Sequence, residues 1–239
     1  MKKILPLLLL VAGFSQSASA ADFTNLGNIG QPNFRLLSED FGSALSYKPV
    51  TPAEPLGITG FDIGLEVTST NISKSGAAIK TATNGSLDVT TMVIPKLHVA
   101  KGLPFGIDVA AFMSLVPSTN IKLYGGELRY AILEGGVALP AVAVRAAMTK
   151  MSGVDELDFS TKSLDISISK GFLMFTPYAG VGQVWVTSTP HAGSLTEESF
   201  TQNKVFAGAN LNMGLVNFAL EGDQTGGATS YSLKFGFRW

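Results

Sequence analysis

His98 and His191 are the only imidazoles in the chain, and there is no cysteine. Disulfides, thiolate nucleophiles and thiolate metal sites are therefore excluded. A histidine-based hydrolase needs an acid on one side of the ring and a hydroxyl on the other. His98 would reach Asp62 if the first two strands pair, but Ser232, an inward hydroxyl on a neighbouring strand, lies at another height. His191 falls in a polar stretch and reads as a solvated side chain. The Asp155, Glu156 and Asp158 cluster could hold a divalent cation weakly, although acidic loop residues are ordinarily just solvated. No metal-ligand spacing, phosphate-cradling glycine loop or basic nucleic-acid patch occurs. The chain is thus expected to be no enzyme and to carry no cofactor and no metal.

The remaining chemistry is charge placed inside apolar segments. Asp62, Glu66, Asp108, Glu127, Asp165, Glu221 and Asp223 lie within segments that alternate with apolar residues, as do Lys96, Arg129, Arg145, Lys204, Lys234 and Arg238, with His98 beside them. Seven acids against six bases is nearly neutral, and the formal charge of the whole chain is −1. Facing one narrow space, such groups pair across it and do not line a pore with one sign. A strongly ion-selective channel is not expected, and no field for nucleic acid arises.

The element that must position these groups is the β-strand. The last eleven residues read TSYSLKFGFRW, in which Tyr231, Leu233, Phe235, Phe237 and Trp239 alternate with Ser230, Ser232, Lys234, Gly236 and Arg238. A period of two gives two chemically distinct faces only in a strand. An apolar strand closing on an aromatic residue resembles the C-terminal assembly signal of Gram-negative outer-membrane barrels, which usually ends in Phe and here ends in Trp239. The resemblance implies recognition by the barrel assembly machinery. It also implies contact with outer-membrane lipid and lipopolysaccharide.

Residues 1–20 read as a cleaved signal peptide: Lys2 and Lys3, an apolar run from Ile4 to Phe14, then Ala18-Ser19-Ala20. Mean hydropathy is +0.29 with only 15% charged residues, yet the rest of the chain has no apolar run near the roughly 18 residues of a spanning helix. Apolar content without such helices fits a lipid-facing barrel. Residues 21–56 do not read as wall. Phe34, Leu37, Phe41 and Leu45 carry helical spacing, weakened by Gly42, and Pro49, Pro52 and Pro55 exclude a central strand. This leader is expected either beneath the barrel on the periplasmic side or as a plug in the lumen.

Residues 57–239 read as ten strands of an antiparallel transmembrane β-barrel, an even number as in single-chain bacterial barrels. Long connections at 69–88, 152–158 and 188–203 belong outside, and tight turns at 101–104, 170–173 and 214–216 belong on the periplasmic side. Pro95 suggests a bulge in the second strand. The seventh strand faces either Tyr178, Val184 and Val186 outward, or Val181 and Trp185. Closure of the barrel predicts a seam pairing Asp62 with Arg238, Glu66 with Lys234 and Gly64 with Gly236. In the same register Phe61 meets Trp239, Ile63 meets Phe237 and Leu65 meets Phe235.

Across 33–239 the chain resembles an uncharacterised family of Gram-negative predicted outer-membrane barrel proteins. The resemblance rests on Leu36-Leu37-Ser38-Glu39-Asp40, Leu56-Gly57-Ile58-Thr59-Gly60-Phe61-Asp62, Glu134-Gly135-Gly136 with Leu139-Pro140, and the terminal strand. It implies fold and location, not activity. Two functions remain open: a small passive or gated conduit, for hydrophobic solutes, and a non-transporting structural or surface-interaction barrel using its polar outer loops. A periplasmic lipocalin-like carrier would need its apolar faces inward, against the charged faces just described.

Overall fold

The computed structural model describes residues 23–116 and 119–239; the signal-peptide reading falls outside them. Ten antiparallel strands run β1 (Phe61–Asn71), β2 (Thr91–Gly102), β3 (Ile107–Leu115), β4 (Lys122–Glu134), β5 (Ala141–Ser152), β6 (Leu157–Ser169), β7 (Phe175–Pro190), β8 (Glu198–Met213), β9 (Val216–Thr225) and β10 (Ala228–Arg238). Each pairs with its neighbours in sequence, and β10 pairs with β1 to close the barrel. Outward residues such as Leu65, Leu128, Ile166 and Leu220 are exposed, while the charged positions between them are buried. The apolar faces therefore point out and the polar faces in, which suits a wall bathed in lipid. The lipocalin-like arrangement is the reverse of this.

Closure follows the expected register. Asp62 is opposite Arg238, Gly64 opposite Gly236 and Glu66 opposite Lys234, and Phe61 stacks on Trp239 at 5.2 Å. The shear can be read from the same pairings. In strand order from Leu65, the hydrogen-bonded row passes Leu97, Met113, Tyr124, Lys150 and Ser160 and reaches β7 at Thr187. In the other direction it passes Phe235, Phe218 and Leu211 and reaches β7 at Phe175. The two ends differ by 187 − 175 = 12 residues. Ten strands with that shear tilt about 40° and enclose a backbone cylinder about 20 Å across. One α-helix, about 10–12 Å wide with its side chains, nearly fills such a space.

That helix is α1 (Gln31–Leu45). It starts after Gly30, whose φ of 74° turns the chain, and Pro32 sits in its first turn. Phe34, Leu37, Phe41 and Leu45 are buried. They form one apolar core with inward wall residues including Ile94, Phe112, Leu123, Phe159, Val184 and Val186. Of the two placements expected for the leader, the structure has it inside the lumen. A second short helix, α2 (Gly76–Ala82), occupies the 69–88 connection, which carried no helical signal beyond a few small residues.

Two further expectations are corrected, and the open choice in the seventh strand is decided. Pro95 makes no bulge: β1 pairs with β2 without interruption through Val67 and Pro95. Instead the β2–β3 pairing ends at Leu97, and the register shift lies in β4 between Ala131 and Leu133. The 188–203 connection is mostly strand, since β7 and β8 stay paired out to Ser188 and Glu198. In β7 it is Val181 and Trp185 that face outward, with Tyr178, Val184 and Val186 buried inside.

Candidate functional site in the lumen

The interior has two storeys. Towards the end bearing the long connections it is apolar and holds α1. Towards the end bearing the chain terminus it is charged and holds residues 46–56, which form no regular secondary structure. A peptide buried in a tunnel must satisfy its backbone there, and this one does so through the wall charges. Lys204 donates to the carbonyl of Tyr47 at 2.7 Å, Lys96 to that of Lys48 at 2.9 Å, and Arg129 to that of Pro52 at 2.6 Å. Arg238 donates to the Glu54 carbonyl at 3.3 Å. In the other sense, the amide of Val50 donates to Glu221 at 2.9 Å, that of Ala53 to Ser169 at 3.1 Å, and that of Leu56 to Asp108 at 3.1 Å.

The sequence explains the economy of this grip. Pro49, Pro52 and Pro55 lack an N–H, so they place no donor in the tunnel. The residue after each of them supplies one amide, and each amide meets a wall acceptor. Val50 has a φ of 44°, an uncommon and strained value for a β-branched residue, at the point where Glu221 holds its amide.

The wall charges also pair with one another, though less simply than the strand register suggests. Lys234 is opposite Glu66 but its ammonium meets Asp62 at 2.5 Å, and Glu66 instead takes Lys96 at 2.5 Å. Arg145 bridges Glu127 at 2.8 Å and Asp165 at 3.1 Å. Arg129 holds Asp108 at 2.5 Å. Asp223 is neutralised from the leader, by Lys48. The named lumen residues are all buried except Arg238, which is half-buried. Alternation does not mark the leader as their partner; its prolines at intervals of three are the signal for it.

His98 lies opposite Gly64, not Asp62. Its Nε2 shares a hydrogen bond of 3.1 Å with the Tyr47 hydroxyl and its Nδ1 is 3.6 Å from Glu66. Ser232 bonds Thr68 at 2.8 Å. His98 and Ser232 are thus each committed to a different partner, and the geometry sets up no proton relay between them. His191 bonds Asp158 at 2.9 Å, so one acid of the 155–158 cluster already has a partner. Among the described residues no group of three or more potential metal ligands gathers.

At the mouth bearing the long connections the leader is fastened to the loops. Arg35 pairs with Glu39 and Glu198 and lies 4.0 Å over the Phe200 ring. Asp40 accepts from the amide and hydroxyl of Ser75 at 2.9 and 2.8 Å. Burial holds the Asp40 carboxyl above its ordinary pKa, against the opposing pull of the Ser75 bonds. Beside this mouth, where β2 and β3 stop pairing, an apolar cleft of about 250 Å³ is lined by Phe23, Phe41, Met92, Val93, Val116 and Ile121 among others.

No family model matches the chain, and no curated protein matches it. Similar solved structures include the KdgM porin, 8% identical over 76% of this chain and 99% of that one, with a TM-score of 0.39. Neisserial surface protein A is 10% identical over 75% and 95% of the two chains, with a TM-score of 0.31. The translocator domain of the autotransporter NalP from Neisseria meningitidis is 9% identical over 93% and 100%, with a TM-score of 0.37. The barrel architecture is shown by the strand pairing of this chain.

Proposed function

We propose that this protein is an outer-membrane barrel that presents a surface and keeps its lumen shut, its own residues 31–56 serving as the seal. The outward apolar faces and the terminal aromatic strand support the location. One observation carries the closed state: the leader is hydrogen-bonded to the wall from Ser43, whose hydroxyl donates to the Thr225 carbonyl at 2.5 Å, down to the amide of Leu56. Withdrawing it would strand buried charges that now have partners, at about 1–3 kcal/mol for each group left unsatisfied. A seal held at so many points is a poor gate. What the molecule offers to its surroundings is the outer face, built from the 72–90 and 191–197 connections with the start of the leader.

The test uses single-channel recording in planar bilayers on the full chain and on a Ser38→Cys/Ser188→Cys variant. The two hydroxyls are 2.9 Å apart, and the chain is otherwise free of cysteine. The expected result is silence from both, oxidised or reduced. Openings of the full chain that vanish on oxidation of the variant and return on reduction would overturn the closed-barrel reading.

A second reading, a conduit for small hydrophobic solutes, has its own support in the apolar cleft between β2 and β3. It predicts uptake of a fluorescent fatty acid by cells making the protein, lost on Val93→Arg. Uptake indifferent to that change would dismiss it.

A further inference from the structure

We infer that an outward-facing lysine row on β4, β5 and β6 binds the phosphate groups of an anionic outer-leaflet lipid headgroup. Lys122, Lys150 and Lys162 are exposed on the side of the wall that carries Tyr124, Met148 and Leu164. Lys150 is opposite Tyr124, two residues from Lys122 along β4, and Lys162 is opposite Met148, two residues from Lys150 along β5. Such diagonal neighbours stand about 7–8 Å apart, so the row is about 15 Å long. It can therefore meet more than one phosphate of a single headgroup.

The barrel's shear decides whether the row is level. Followed in strand order, the hydrogen-bonded rows climb towards the long connections, reaching Thr187 of β7 and not Phe175. A level line must then drop by about 1.2 residues per strand in a ten-stranded barrel of this shear. The lysine row drops two per strand, which leaves its ends within about 4 Å of one height. Trp185, opposite Lys162 and exposed, lies at the same level. Aromatic girdles mark the membrane–water interface of barrels, so the three ammonium groups sit where lipid phosphates sit.

Within the protein these cations have nothing to hold. None of the three has a hydrogen bond or ion pair among the described residues, whereas Lys80 is paired with Asp88 and Lys170 caps three carbonyls. The exposed acid nearest the row on these strands, Asp158, is four residues from Lys162 and is bonded to His191, and exposed Glu134 is at the opposite end of β4. Three unpartnered lysines aligned at the interface call for an anion supplied by the membrane.

Native mass spectrometry of the full chain with lipid A, and with its dephosphorylated form, tests this. The protein is expected to retain lipid A in preference, and Lys122→Gln/Lys150→Gln/Lys162→Gln to lose that preference by on the order of a hundredfold. The triple Arg variant should keep it, as should Lys80→Gln. Equal retention of both lipids by the unaltered chain, no loss in the Gln variant, or an equal loss in Lys80→Gln would overturn the inference. Displacement of lipid A by millimolar inorganic phosphate would also overturn it, showing an ion site without lipid recognition. A heat-modifiable gel band for each variant shows that the barrel has folded.

Discussion

At the scale of single residues, the lumen shows how far charge patterning can be read from a chain. The positions of the fourteen inward groups follow from alternation alone, because a period of two leaves no freedom in which face a residue takes. Their partners do not follow, because a lysine stem spans two or three cross-strand positions: Lys234 passes over Glu66, its neighbour in register, to reach Asp62. The pair most exposed to test is Lys48–Asp223, which ties leader to wall with both groups buried. Lys48→Met should leave a buried carboxylate without its cation and cost about 3–5 kcal/mol, read from the urea midpoint in lipid vesicles. Adding Asp223→Leu should restore much of the loss; a single variant as stable as the parent would mean the pair contributes nothing.

Asp40 gives a pH prediction whose sign can be worked out. Its folded pKa lies above the ordinary value of 3.8 because burial disfavours the carboxylate. Folding is therefore relatively favoured when Asp40 is protonated, and this contribution is lost as pH rises from about 4 through the folded value. Asp40→Asn keeps an acceptor for Ser75 and does not ionise. Unfolding of the variant and parent should converge below about pH 4, and at pH 7 the variant should be at least as stable. A less stable variant at pH 7 would mean that the Ser75 bonds to a full charge outweigh burial.

At the scale of elements, the places where strand reading faltered share one cause. Val184 and Val186 face α1 while Val181 and Trp185 face outward, so β7 is apolar on both sides and alternation cannot orient it. Met92 and Ile94 inside, with Val93 outside, repeat this in β2. A wall segment apolar on both faces needs something apolar within the barrel, and only the leader's Phe34, Leu37, Phe41 and Leu45 could supply it. The length of β7 and β8 is not legible because their outer ends are as polar as a loop, nor is α2, because seven residues carry little periodicity. Gly42, which weakened the helical pattern, has a packing reason: a Cβ there would lie 2.7 Å from Val186 and 2.8 Å from Gln202. Gly42→Val should force the helix off the wall and cost about 1–3 kcal/mol. Oxidation of the Ser38→Cys/Ser188→Cys pair in that background should slow; unchanged cross-linking would show the helix tolerates the bulk.

At the scale of the whole molecule, the path of the leader sets the topology. Single-chain barrels keep short turns on the periplasmic side and long connections outside, so in the proposed outer-membrane placement Phe61 and Trp239 lie at the periplasmic rim. The leader nevertheless begins at the opposite end. The amide of Asn25 donates to the carbonyl of Ala82, the last residue of α2, at 3.0 Å, and Gly27 packs against Gly193. From there the chain descends through the lumen and joins β1 below. Periodicity could not foretell this, because alternation fixes only which face of the wall a leader meets; its direction is set by where its apolar helix finds an apolar storey. The barrel must then close around a segment already threaded through it, with residue 23 on the outer side. A short epitope inserted between Asp22 and Phe23 should accordingly be reached by antibody on intact cells, as should one placed in the 191–197 connection, whereas one in the turn at Gly214 should not. Were the first epitope reached only after the outer membrane is permeabilised, with the second still exposed, the leader would enter from the periplasm, and the sealed-barrel reading would lose its outer face.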